Sequence, residues 1–171
     1  KIIETLVSAA ENGKEVVAIV ELRARFDEQS NIDYSKRLEE AGCTVIYGFE
    51  DYKVHSKLTL ITRKRDGKIE YISQIGTGNY NEKTSEQYTD LSFITADQEI
   101  GAELAAVFNN LAVERLTDNT GELLVAPLCF KSVLLKEMDR EIEAAHNGRP
   151  ARIWLKCNSV RDKDIIERIS A

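Results

Sequence analysis

His55 and Lys57 stand two residues apart at the head of an alternating apolar run, Leu58-Thr59-Leu60-Ile61, so both side chains are expected to leave a strand on one face. An imidazole is a nucleophile, and an ammonium beside it can neutralise the charge of whatever it attacks. A hairpin signalled by Arg65-Asp66-Gly67-Lys68 then returns the chain to Ile75-Gly76-Thr77-Gly78-Asn79. Glycines there let backbone N–H groups approach an anion, and Asn79 adds an amide side chain. Imidazole, ammonium, backbone amides and a carboxamide together suit a tetrahedral phosphoryl group. Each also has a plainer role. A strand histidine is commonly structural, an edge lysine discourages aggregation, and Gly76, Gly78 and Asn79 can serve a turn alone.

The elements that must hold these residues read as an α/β pattern. A helix is expected from residue 2 to residue 10, ended by Asn12-Gly13. The β-branched run at 16–20 predicts a strand buried on both faces, and charged residues including Arg25 crowd its carboxyl end, where open α/β sheets bind ligands. Ser30 or Asn31 caps a second helix that Gly42 ends, and a short strand follows at 43–48. The hairpin occupies 57 to about 72, with a further strand at 90–95. Asp97 caps a helix over 98–111 whose apolar residues Ile100, Leu104, Val107, Phe108 and Leu111 share one face. Phe93 and Trp154 read as core.

Residues 115–121 read as a linker, after which a helix at 134–146, a strand at 151–157 and a helix at 162–169 follow. Ser8-Ala9-Ala10-Glu11-Asn12-Gly13-Lys14 is matched by Glu143-Ala144-Ala145-His146-Asn147-Gly148-Arg149, an offset of 135 residues (147 − 12). The expected organisation is a first α/β half-domain with a mixed sheet at 1–118, and the truncated start of a second similar half at 119–171.

The chain of 171 residues is 43% hydrophobic and 30% charged, within the globular range, and carries no apolar run of about 18 residues. Its 23 basic and 29 acidic residues argue against broad binding of nucleic acid or anionic membrane, so an anion is expected in a local basic pocket. Cys43, Cys129 and Cys157 lie far apart in apolar or strand-like surroundings, which suits buried reduced thiols of a cytoplasmic protein. The chain opens on Lys1 and its single methionine is Met138, so its start reads as a fragment boundary.

Two α/β halves with His-x-Lys on a strand and Gly-x-Gly-Asn after a hairpin resemble the phospholipase D superfamily. Val20-Glu21-Leu22-Arg23-Ala24-Arg25-Phe26-Asp27-Glu28, Lys53-Val54-His55-Ser56-Lys57-Leu58 and Ile75-Gly76-Thr77-Gly78-Asn79-Tyr80-Asn81-Glu82-Lys83-Thr84, followed by Tyr88-Thr89-Asp90, resemble consecutive signatures of the bacterial polyphosphate kinase family over essentially all 171 residues. The resemblance implies a phosphohistidine at His55, formed from ATP and passed to a growing polyphosphate chain. It places Tyr88 at the nucleotide phosphates and Arg25 at a site for magnesium and phosphate. A guanidinium cannot ligate a cation, so Arg25 is assigned to phosphate oxygens that Mg2+ bridges. ATP, ADP and polyphosphate are the implied partners, and the intact parent is expected to be a homo-oligomer.

The sequence departs from the family at Gln74, where relatives often carry histidine. Thr62 stands where the superfamily's lipases place an aspartate, which weakens a lipase reading. A phospholipase D-type phosphodiesterase and a non-catalytic phosphate-binding half-domain are the competing functions. With the upstream domains and the second half's arginine and histidine absent, the isolated chain is expected to hold the nucleophile without a complete nucleotide site.

Overall fold

A computed structural model describes residues 1–21, 28–118 and 121–171, and they form two compact units, Lys1–Leu116 and Thr117–Ala171. The first unit opens with α1 (Ile2–Glu11), β1 (Val17–Val20), α2 (Glu28–Glu40) and β2 (Thr44–Tyr47). β1 and β2 pair in parallel, Val17 with Thr44 through Val20 with Tyr47. The crossover is helical, as parallel neighbours require. Buried Val7, Leu38 and Cys43 form the core of this layer, packed by Ile3, Leu6, Val16, Ala18 and Val45. β1 is less enclosed than its β-branched run suggests, for Val17 remains 46% exposed.

The remainder of the unit is an antiparallel sheet, β3 (Lys57–Arg65), β4 (Lys68–Gly76) and β5 (Ser92–Thr95), in that order, with a short α3 (Glu82–Gln87) in the connection. Asp66 and Gly67 take φ of +50° and +78°, the two left-handed residues that a tight hairpin turn demands. α4 (Gln98–Ala112) begins on Asp97, whose carboxylate accepts from the N–H groups of Glu99 and Ile100 at 2.9 and 3.1 Å. It packs against β4 closely enough that a methyl group on Gly101 would lie 2.3 Å from Tyr71 Cβ. The Gln98 amide extends the sheet sideways, donating to Tyr71 O at 3.2 Å and accepting from Tyr71 N at 3.1 Å.

α3 was not foreseen, because its cap is Asn81, inside the glycine-rich signature, accepting from Thr84 N. Phe93 is 55% exposed on the outer strand and Trp154 is 83% exposed with the Arg152 guanidinium 5.8 Å over its ring, so neither is core. Residues 151–157 form no strand, since a ladder needs a neighbour and the second unit supplies helices α5 (Phe130–His146) and α6 (Lys163–Ile169). Cys43 and Cys129 are buried free thiols, but Cys157 is exposed. No helix among the described residues is long and apolar enough to cross a membrane.

The second unit repeats the bonding of the first at its helix ends. Asn12 Nδ2 donates to Ser8 O at 2.7 Å and Lys14 N to Ala9 O at 3.0 Å; Asn147 Nδ2 donates to Glu143 O at 2.9 Å and Arg149 N to Ala144 O at 2.9 Å. Gly13 and Gly148 both take left-handed φ, +75° and +67°. An arginine of the following helix grips the matching carboxylate in each unit, Arg37 on Glu4 and Arg168 on Asp139. The Lys131 ammonium further ties α5 to the α6 cap, 2.6 Å from both Asp162 and Asp164.

Candidate active site

His55 lies in the extended segment that enters β3, and Lys57 is the first residue of that strand. The segment is anchored from β1, because the Glu21 carboxylate accepts from Val54 N at 2.9 Å. Glu21 is in turn fixed through its carbonyl, which accepts from Asn31 Nδ2 at 3.1 Å. Lys57 is 8% exposed, and its ammonium folds back to donate to the His55 carbonyl oxygen at 2.5 Å and to approach His55 Nδ1 at 3.1 Å. An ammonium has only hydrogens to offer, so Nδ1 accepts and the proton of the neutral ring sits on Nε2. The partner of Nδ1 is thus a cation.

Both groups are held toward their neutral forms. Burial first, then the charges of Lys57 and Lys53, lower the His55 pKa below its ordinary 6.5. Burial also lowers Lys57, with Lys53 adding to the effect and Asp90 opposing it. The imidazole is therefore unprotonated at neutral pH, the form a nucleophile requires.

The register brings the glycine-rich turn to the same place. Lys57 pairs with Gly76, and Gly76 with Ser92, so the three share one row across β3, β4 and β5. Thr77 N donates to Leu91 O at 3.0 Å and its hydroxyl to Asp90 Oδ1 at 2.8 Å, so this backbone amide is committed to the sheet rather than open to an anion. A Cβ on Gly78 would lie 2.4 Å from Asp90 Oδ2, which explains glycine there by close approach rather than by φ. Asn79 is exposed beyond the turn. Tyr88 follows α3, 53% exposed, with its N–H donating to Thr84 O at 3.2 Å, two residues before Asp90. Arg25 lies outside the described residues.

Geometry joins His55, Lys57 and Gly76 directly, and Gly78 through Asp90. It adds Glu21, Thr77 and Asp90, which stand within the signatures but carry no role there on residue type alone. Glu21 was signalled by a carboxylate at a strand end, and Asp90 by its place after Tyr88. Among the described residues no cluster of three or more His, Cys, Asp or Glu could cage a metal ion. Magnesium keeps water and phosphate oxygens and needs only one or two carboxylates, so Asp90 fits an ion that arrives on phosphate.

The family described as polyphosphate kinase C-terminal domain 1 matches residues 1–117, and that described as C-terminal domain 2 matches residues 123–171. The chain belongs to the polyphosphate kinase family. It is 44% identical over 171 residues to the polyphosphate kinase of Escherichia coli, covering 100% of this chain and 25% of that protein. To the polyphosphate kinase of Staphylococcus saprophyticus it is 42% identical over 168 residues, 98% of this chain and 23% of that protein. The crystal structure of polyphosphate kinase from Porphyromonas gingivalis matches with a TM-score of 0.82 and 34% identity, over 98% of this chain and 28% of that one. The chain thus spans about a quarter of the length of the curated polyphosphate kinases it matches. These matches do not favour the phosphodiesterase reading.

Proposed function

We propose that this chain is the part of a polyphosphate kinase that carries the phosphoryl group between ATP and polyphosphate, on His55. The observation that supports it best is the His55 ring set 3.1 Å from the buried ammonium of Lys57, which pairs with Gly76. The lone pair of a ring nitrogen attacks the terminal phosphorus of ATP, an N–P bond forms, and the bond to the bridging oxygen breaks to release ADP. A terminal oxygen of polyphosphate then attacks the same phosphorus, the N–P bond breaks, and the polymer grows by one phosphate. Both steps run in reverse with the same groups.

Lys57 has two tasks in this scheme. In the free site it occupies Nδ1, and on arrival of the polyanion it turns to the phosphoryl oxygens, leaving a nitrogen with an available lone pair. There its charge offsets the charge of the transferring group, the main source of rate in phosphoryl transfer. Asn79 donates to the same oxygens, the Gly76–Gly78 backbone permits close approach, and Tyr88 and Arg25 hold the nucleotide phosphates. Asp90 is the residue here that would meet a magnesium ion arriving on phosphate, and such an ion would add charge neutralisation.

ATP, ADP and polyphosphate are the proposed partners, in a cytoplasmic homo-oligomer. The test is polymer synthesis by the intact protein and its His55→Gln variant. Synthesis lost with an unchanged fold supports the reading, and synthesis retained in His55→Gln overturns it.

A further inference from the structure

One row behind Lys57 and Gly76, four side chains join hands across the whole sheet. Thr59 of β3 pairs with Gln74 of β4, and Gln74 with Ile94 of β5, so Thr59 and Gln74 share the face that carries Lys57. Thr59 Oγ1 lies 3.0 Å from the Tyr80 hydroxyl, the Tyr80 hydroxyl donates to Gln74 Oε1, and Gln74 Nε2 donates to Ser92 Oγ at 3.0 Å. Tyrosine has one hydroxyl proton, and it goes to the Gln74 carbonyl oxygen, so Thr59 must donate to Tyr80. The chain of donors runs Thr59 to Tyr80 to Gln74 to Ser92, tying all three strands to a residue that none of them contains.

Tyr80 and Gln74 flank the Gly76-Thr77-Gly78-Asn79 turn, so their bond closes the turn into a loop. The far side of the same loop is fixed by Thr77 on Asp90 and Leu91. Glycines give this stretch more backbone freedom than any other residue would. A turn that must meet a phosphoryl group in one geometry has to lose that freedom before the substrate arrives.

Resting on the function proposed above, we infer that Tyr80 is a positioning residue for phosphoryl transfer: its hydroxyl, bridging Thr59 and Gln74, holds the Gly76–Asn79 turn and so presents Asn79 to the group transferred at His55. The network contains three hydroxyls and one amide and no charge, so it acts on geometry and not on the electrostatics of the site.

The experiment compares the intact protein with Tyr80→Phe, Gln74→Leu and the double variant. Phenylalanine keeps the ring, so the thermal midpoint is expected to hold. For His55 phosphorylation, kcat is expected to fall roughly tenfold in each single variant, the effect of one lost hydrogen bond, with KM for ATP changed by less than about twofold. Because both substitutions cut the same link, the double variant is expected to fall no further than the singles. A second readout needs no activity: amide hydrogen exchange over residues 76–80 is expected to rise in Tyr80→Phe while the α4 amides are unchanged. An unchanged kcat, a raised KM with kcat kept, or a double variant near the roughly hundredfold product of two tenfold losses overturns the inference. If the unmutated protein forms no phosphohistidine, the proposed function fails instead. The exchange result then decides the network alone, and unaltered exchange in Tyr80→Phe overturns it.

Discussion

The Lys57 ammonium stands 3.1 Å from His55 Nδ1 while donating to the carbonyl oxygen of the same histidine. One buried cation thereby fixes the His55 ring, selects its tautomer and disfavours its protonation. The same contact masks the Nδ1 lone pair, so the attack proposed above requires Lys57 to move first. Apo sites commonly hold such contacts and rearrange when substrate binds.

The tautomer is directly observable. The chain has two histidines, His55 and His146, so nitrogen-15 shifts of a labelled sample resolve both rings. His55 is expected in the Nε2–H form, and Lys57→Met is expected to shift it toward a mixture. The His55 titration should fall below pH 6.5, its ordinary value, because burial and the lysine charges disfavour imidazolium. Removing Lys57 takes away one of those causes and should raise the titration without restoring it fully, since burial is the larger cause. The unfolded chain binds this proton more tightly than the folded one. Stability should therefore fall as pH drops from about 6.5 toward the lowered folded value, and the His55 contribution should level off below it.

Lys57→Met separates catalysis from stability. Loss of the ammonium should lower the rate of His55 phosphorylation by roughly 10²–10³, the range for removing a preorganised group at developing charge. The thermal midpoint should hold or rise, because a side chain only 8% exposed no longer buries a charge. Kinetics and a melting curve on one preparation check both. A large fall in midpoint with unchanged kinetics would make Lys57 structural.

Two glycines make a matched pair of tests. In Gly78→Ala the new methyl would meet Asp90 Oδ2 at 2.4 Å, so Asp90 must leave Thr77 and the turn shifts. Phosphorylation should fall sharply, and Asp90→Gly in the same background, which removes the carboxylate and the Cβ that would lie 2.9 Å away, should relieve the clash and recover part of the lost stability. In Gly101→Ala the methyl would lie 2.3 Å from Tyr71 Cβ, away from the site, costing about 1–3 kcal/mol of stability by overpacking with little effect on KM.

What could be read from residue order was whatever local chemistry decides. The Asp66-Gly67 turn, the Asp97 cap and the Asn12-Gly13 and Asn147-Gly148 helix ends each follow from one or two residues, and each stands where its residues put it. The row Lys57–Gly76–Ser92 follows from hairpin register and was half legible, since the glycine turn had to return toward His55. Non-local partners were not legible. Nothing near residue 54 announces that Glu21 will accept its N–H, and a tyrosine after Asn79 gives no sign that it will reach Thr59. Residues 151–157 carry a strand's composition, yet a strand is a pairing and composition does not supply the partner. Trp154 and Phe93 were misread for a related reason, because a large apolar side chain is buried only if another element covers it.

Whether His55 carries the phosphoryl group is tested directly by covalent labelling. The intact protein is incubated with ATP labelled on its terminal phosphate, together with magnesium, then denatured and assayed for protein-bound label. Phosphoryl carriage by His55 predicts a label that is labile to acid and stable to base, absent from His55→Ala, and discharged by added polyphosphate. A folded, ATP-binding protein that takes up no such label, or an equal label in His55→Ala, would contradict it.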